Sequence, residues 1–167
     1  MKKPVPDAES LLQALAAQLR PAVTPRTALI GIHTGGVWVA QRLHEALGVQ
    51  VPLGTIDIAF YRDDYSRRGL SSSVRPSDIR FDVADCDIVL VDDVLYTGRT
   101  IRAALNELFD YGRPGRVRLA ALVDRGGRQL PIEPQFVGAS LQVADDEQIT
   151  LKRAEDGRLS LHVEPKA

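Results

Sequence analysis

Residues 87–100, DIVLVDDVLYTGRT, place two adjacent carboxylates, Asp92 and Asp93, a few positions ahead of a Thr-Gly-Arg-Thr turn. The turn follows an apolar run and opens an amphipathic one, so Thr97, Gly98, Arg99 and Thr100 fall where a strand hands over to a helix. N–H groups at such a helix start, with the positive end of its dipole, favour an anion, and Gly98 lets backbone approach it. The two threonine hydroxyls add donors. Asp92 and Asp93 argue against a bare phosphate, which they would repel. A ligand that fits both halves carries a phosphate at one end and hydroxyls or a metal at the other, as a ribose 5-phosphate does. The competing reading is an ordinary strand-to-helix turn with a threonine cap and an acid pair at the strand end.

The elements that must hold these residues can be read around them. Asp7 is an N-cap candidate for a helix whose Leu11, Leu12, Leu15 and Leu19 share one face and which Pro21 stops. TALIGI (27–32) reads as a buried strand and GVWVAQRLHEALG (36–48) as a helix ended by Gly48. Between them lies Thr34-Gly35-Gly36. VPLGTIDIAFY (51–61) reads as a strand, followed by an irregular polar stretch over 62–80, long for a loop in a compact domain and therefore expected to be functional. Next come the strand DIVLVD, the helix RTIRAALNELFDYG and the strand RVRLAALVD (116–124). Near-continuous apolar strands alternating with helices predict an α/β fold with a mostly parallel central sheet flanked by helices. Near the C-terminus, QITLKRA and RLSLHVE flank Glu-Asp-Gly, and Asp156-Gly157 signals a hairpin with a type I′ turn.

Composition narrows the class further. With 167 residues, 44% hydrophobic and 26% charged, the chain is long enough for one ordinary core, and a single domain over 1–167 is expected. A net charge of -1 gives no bulk attraction to polyanions, so any phosphate site must be local. One cysteine, Cys86, excludes an intramolecular disulfide and points to a reducing, cytoplasmic setting. No apolar run suggests a membrane segment. Neither G-x-x-x-x-G-K-[ST] nor G-x-G-x-x-G occurs; GIHTGG (31–36) is not the latter.

The stretch VLVDDVLYTGRT resembles the phosphoribosyl diphosphate (PRPP) fingerprint of type I phosphoribosyltransferases. Together with IDIAFYRDD, YGRP and LVDRGGRQLPI, it makes about residues 10–163 similar to the PyrR-type family of bifunctional uracil phosphoribosyltransferases and pyrimidine-operon attenuation regulators. The resemblance implies the type I phosphoribosyltransferase fold with a hood over about 124–163. The implied activity is formation of UMP and diphosphate from uracil and PRPP with Mg²⁺. It assigns Thr97, Gly98, Arg99 and Thr100 to the 5-phosphate, and Asp92 and Asp93 to the ribose hydroxyls and, through them, to Mg²⁺. Thr34, Gly35 and Gly36 become the pyrophosphate loop, where a strained turn is expected. That loop departs from the Thr-Arg-Gly common in the family, so Gly35 brings no positive charge and weaker activity is expected. Asp124, Arg125 and Gly126, with Tyr96, fall to uracil, and Leu130-Pro131-Ile132 to the hood. Residues 62–80 become a lid with Arg62, Asp63 and Asp64 at its base and Arg62 among the catalytic residues.

Tyr96 favours uracil over a purine, because purine-type relatives often carry an acid at that place and a phenol is a weak acid. Arg125 pairing with Asp124 is the blander reading of that segment. Arg42 reads as a solvated helix residue, Trp38 as core or subunit interface, and His33 as either near the loop or a strand-end residue. His44 and His162 read as surface positions. The family also implies UMP- or UTP-dependent binding of an mRNA leader and a homodimer or larger homo-oligomer. For RNA the residues give less support: ADDEQITLKRAED (144–156) sets five acids against Lys152 and Arg153, leaving Arg20 and Arg26 as candidate phosphate contacts. Two alternatives therefore stand beside the transferase: an RNA-binding regulator with little or no transfer activity, and a transferase for another base.

Overall fold

The computed structural model describes residues 4–58 and 77–167. Its central sheet contains β1 (Thr27–Ile32), β2 (Gly54–Ile56), β3 (Asp87–Leu95), β4 (Arg116–Asp124) and β5 (Phe136–Ser140), in the order β2-β1-β3-β4-β5. All four pairings are parallel. The helices are α1 (Ala8–Leu19), α2 (Gly35–Leu47) and α3 (Arg99–Phe109). No described helix is long and apolar enough to cross a membrane.

Two apolar clusters cover the sheet, as both-face burial of parallel strands requires. On one side α1, α2 and the C-terminal hairpin pack through Leu15, Val39 and Leu151 against Val89, Val91 and Leu122. On the other, Ile101, Ala104 and Leu108 of α3 meet Ile88, Leu90 and Ala121. Asp7 caps α1 as read, Oδ2 accepting from Ser10 N–H at 3.2 Å. Gly48 ends α2 in the left-handed region. Trp38 is half-buried against the first cluster, with the Arg153 guanidinium 4.8 Å from its ring centre.

Several details differ from the sequence reading. Within 51–58, strand pairing is confined to Gly54–Ile56, and residues 59–61 lie outside the described residues. Of the expected lid, 62–76 lies outside them too. Asp78 forms an antiparallel bridge with Thr55, its N–H and C=O each paired at 2.9 Å, and Arg80 pairs with Asp78, so these residues dock on the sheet edge. β5 was not anticipated, and within the expected hood it belongs to the central sheet instead. Its pattern is short and broken by Gly138, and the side chain of Gln18 on α1 completes its edge, donating to Val137 O at 2.7 Å and accepting from Val137 N–H at 3.1 Å.

The hairpin of β6 (Glu147–Arg153) and β7 (Leu159–Pro165) is present, but its turn is not type I′. Ala154 N–H still bonds Arg158 O at 2.9 Å, leaving three loop residues, of which Gly157 alone has positive φ, +88°. That is the three-residue loop with a left-handed glycine at its end.

At the amino end of the sheet, Asp87 accepts from Arg116 Nη2 at 2.8 Å and Nε at 3.1 Å, and from Arg118 Nη2 at 3.0 Å. The Arg116 hydrogen bond foremost, opposed by burial and aided by the Arg118 charge, holds its carboxyl below the ordinary carboxylate range. Because the folded value is depressed below an unfolded value of about 3.9, this stabilisation is complete above that pH and lost as pH falls through the folded value. Asp87→Asn is expected to lower stability at neutral pH by about 1–3 kcal/mol, since it also strands the Arg118 cation. The difference in urea midpoint between the two proteins should shrink below about pH 4; a gap that stays constant into acid would show that the charge is not its origin.

Candidate functional site

The strand order places the residues in question. β1 leads through α2 to β2 on one side, whereas β3 lies on its other side, so the order reverses between the carboxyl ends of β1 and β3. Such a switch point is where open α/β sheets bind ligands. Thr34-Gly35-Gly36 leaves β1 there, while Asp92 and Asp93 end β3 beside it and lead into Thr97–Thr100. The segment from Asp124 onward leaves β4, the next strand.

Close approach of α2 to β3 is enforced by glycine. A Cβ on Gly35 would stand 2.1 Å from Asp93 Oδ2, and one on Gly36 would stand 2.5 Å from Val91 O. The Asp93 carboxylate therefore lies over the first turn of α2, in space that any other residue at 35 would claim. An arginine there would need Asp93 to rotate away, so this loop trades the family's cation for a carboxylate at close range. The cis peptide bond falls between His33 and Thr34, one bond before the turn expected to be strained. Asp92, 6% exposed, accepts from Asp93 N–H through Oδ1 at 2.9 Å, and Asp93 Oδ1 accepts from Val94 N–H at 2.9 Å.

Thr97–Thr100 forms a strand-to-helix turn, as the residue pattern predicts. Gly98 has φ +94°, which an L side chain rarely adopts, and Thr97 Oγ1 accepts from Arg99 N–H at 3.2 Å. Arg102 N–H bonds Gly98 O at 3.0 Å, so the N–H groups of Thr100 and Ile101 lie in the first turn, where the helix offers them no acceptor. The segment after β4 closes over this turn, Gln129 and Leu130 N–H both donating to Thr97 O, and Gln129 Oε1 accepting from Arg99 Nε at 2.9 Å.

Within that segment the structure rearranges the expected roles. Asp124 pairs with Arg128 rather than Arg125, its Oδ2 accepting from Nη2 at 2.7 Å while Oδ1 takes Gly126 N–H at 2.9 Å. Burial pushes the Asp124 carboxyl up, but the Arg128 and Gly126 hydrogen bonds and the Arg128 charge together leave it below the ordinary range. Arg128 also donates to Ile132 O at 2.7 Å and Tyr96 O at 2.8 Å, tying the loop after β4 to the turn after β3. Arg125 turns instead onto the Tyr96 ring, 3.9 Å from its centre, and donates to Glu147 O at 3.1 Å. Sequence reasoning passed over Arg128 and Gln129, although an arginine four residues after Asp124 was the available signal.

Arg42, His44, His162 and Cys86 lie away from the switch point, whereas His33 directly follows β1 beside the Thr34–Gly36 turn. Arg42 is not simply solvated: it forks onto Glu9 of α1 at 2.8 and 3.1 Å, binding the two helices. His44 Nε2 meets Val51 O at 2.8 Å, and His162 Nε2 meets Ser160 Oγ at 2.9 Å. His33 is half-buried, with its N–H on Ile56 O at 2.9 Å. Cys86 carries a free thiol that donates to Asp82 O. Arg62, with Asp63 and Asp64, lies outside the described residues. Among the described residues, no group of three or more His, Cys, Asp and Glu is placed to hold a metal, so a cation at this site would need substrate oxygens beside the two carboxylates.

Known proteins agree with this layout. Residues 4–150 match the family described as phosphoribosyl transferase domain. The chain is 57% identical over 146 residues to the Bifunctional protein PyrR of Nitrosococcus oceani, covering 86% of this chain and 80% of that one. It is 50% identical over 161 residues to the protein of that name from Pseudomonas savastanoi pv. phaseolicola, covering 94% and 95%. Solved hypoxanthine phosphoribosyltransferases share the fold: that of Staphylococcus aureus superposes with a TM-score of 0.66 at 19% identity, covering 84% of this chain and 78% of that one. That of Trypanosoma cruzi gives 0.64 at 21%, covering 86% and 80%. A switch point carrying the acid pair and the Thr-Gly-Arg-Thr turn, in a chain so close to these relatives over nearly its whole length, marks a phosphoribosyltransferase, and the chain belongs to the PyrR family.

Proposed function

We propose that the chain joins uracil to the ribose 5-phosphate of PRPP, giving UMP and diphosphate, and that it serves as a PyrR-type regulator of pyrimidine biosynthesis genes. The observation that carries the transferase reading is the meeting of Thr34-Gly36 with Asp92-Thr100 at the carboxyl ends of β1 and β3. In this reading the turn Thr97–Thr100 takes the 5-phosphate on its N–H groups and hydroxyls. Asp92 and Asp93 accept from the ribose hydroxyls, and the N–H groups of the Thr34–Gly36 turn face the diphosphate. Bond formation from uracil N1 to C1 accompanies cleavage of the C1–O bond to diphosphate, with the N1 proton released and positive charge developing on the sugar. Fixed carboxylates near that sugar stabilise the charge without reorganising.

Phosphoribosyltransferases generally use Mg²⁺. Asp92 and Asp93 would serve it indirectly, by accepting from the ribose hydroxyls that, with the substrate's phosphate oxygens and water, would hold the ion. When bound, it offsets charge on the departing diphosphate. Tyr96, together with the backbone of Asp124–Gly127, forms the base subsite, and a phenol in place of an acid there supports uracil over a purine.

For the regulatory half, several cations of the hairpin side already face acids or an aromatic ring. Lys152 pairs with Glu164, Arg42 with Glu9, and Arg153 covers Trp38. Arg20 and Arg26 therefore stand as the phosphate contacts for a leader hairpin, in a cytoplasmic homo-oligomer acting as one domain over 1–167. Nucleotide-stimulated binding of such a hairpin that weakens with salt is expected, and Arg20→Ala with Arg26→Ala should reduce both the affinity and its salt slope.

A panel of uracil, hypoxanthine and guanine offered with PRPP and Mg²⁺ tests the transferase: UMP should be the main product, and transfer to a purine alone would reverse the base assignment. Asp93→Asn should lower kcat/KM for PRPP by about a hundredfold with the fold intact by circular dichroism. Gly35→Ala, which forces the Asp93 carboxylate aside, should cost about ten- to a hundredfold in the same assay. If Gly35→Ala were as active as the parent, the close approach of α2 to Asp93 would have no catalytic role.

A further inference from the structure

Tyr96 sits between the acid pair and the phosphate turn, and its ring is held on several sides. Arg125 is 8% exposed and lies with its guanidinium 3.9 Å from the ring centre. Its Nη1 donates to Glu147 O at 3.1 Å, but its buried Nε has no hydrogen-bond partner among the described residues. An idle donor on a buried cation is unfavourable. Hydrogen bonding alone therefore does not account for the placement of Arg125; what the placement preserves is the flat contact between guanidinium and ring, which strengthens when desolvated.

The rest of the surroundings acts on the same ring. A Cβ on Gly127 would lie 2.5 Å from Tyr96 Cε1, so glycine at 127 lets the ring settle against the backbone there. Arg128 fixes the Tyr96 carbonyl at 2.8 Å. The hairpin closes on the same place from both ends, through Glu147 at the start of β6 and through Lys166 after β7. The Lys166 Nζ is 5.5 Å from the ring centre, and its N–H bonds Asp146 O at 2.8 Å.

We propose that Arg125 is a positioning residue: it clamps the Tyr96 ring against Gly127 and so sets the wall that admits a one-ring base. Arg125 acts through Tyr96, without itself reading the base. This rests on the uracil reading above, so the test has one arm that does not involve turnover. Tetranitromethane nitration followed by peptide mass analysis reports ring access, with Tyr111, 42% exposed, as internal standard.

Arg125→Gln is expected to raise Tyr96 nitration severalfold relative to Tyr111. It should also raise KM for uracil severalfold while KM for PRPP stays within about twofold, and lower the preference for uracil over hypoxanthine. Arg125→Lys, which keeps the charge but not the plane, should restore little of either effect. Gly127→Ala displaces the ring from another direction and should raise nitration and KM for uracil in the same way, which covers the case in which Arg125→Gln does not fold. Unchanged nitration with an unchanged KM for uracil would overturn the clamp, as would an equal rise in KM for both substrates. A protein that makes no UMP but still shows the nitration contrast would defeat the uracil reading and leave the clamp standing.

Discussion

The site hangs on how near the start of α2 comes to the end of β3. Parallel pairing of β1 with β3 brings their carboxyl ends level, Gly31 opposite Val91, but pairing alone leaves room for a side chain between the following turn and the acid pair. Gly35 and Gly36 remove that room. Their absent side chains let one helix start lie against the strand that carries Asp92 and Asp93, so that a set of backbone donors and two carboxylates share one small volume. In the proposed reaction the anionic phosphates of the substrate and the positive charge that develops on its sugar then have separate places to go, and the separation is set by backbone.

A second tier of contacts holds the loops above that volume. Arg128 is central to it, because a planar fork with several donors can satisfy a carboxylate and two carbonyls at once. With Asp124, Tyr96 and Ile132 all on one guanidinium, the loop after β4 is tied to the turn after β3. Arg99 and Gln129 add a second tie between the same two loops. Loops are ordinarily the mobile part of such folds; here the two beside the switch point are cross-braced.

Much of this could be read from the residue order. Leu11, Leu12, Leu15 and Leu19 announced α1, and the apolar runs of β1, β3 and β4 announced a parallel sheet, because burial on both faces leaves an unmistakable pattern. The acid pair and the turn could be read because their types and spacing are local. What escaped was non-local. β5 is short and depends on Gln18, more than a hundred residues away, for its edge. The exchange of partners between Arg125 and Arg128 could not be seen either, since both follow Asp124 within four residues and only the path of the loop decides which guanidinium meets the carboxylate. The hairpin was visible and its turn type was not, because Glu-Asp-Gly suits two loop lengths and the register of the strands selects between them.

The Asp87 cluster with Arg116 and Arg118 lies at the end of the sheet opposite the switch point. The two ends of β3 thus carry acids in different settings: Asp87 faces two arginines, and Asp92 and Asp93 lie at the switch point where we propose that the substrate binds. A change at the amino end is expected to alter how firmly the strand is held more than what its carboxyl end presents. Robustness and chemistry are in this way assigned to different poles of one strand, and sequence drift at the first pole can adjust the protein to a warmer or more acidic setting while the second stays as it is.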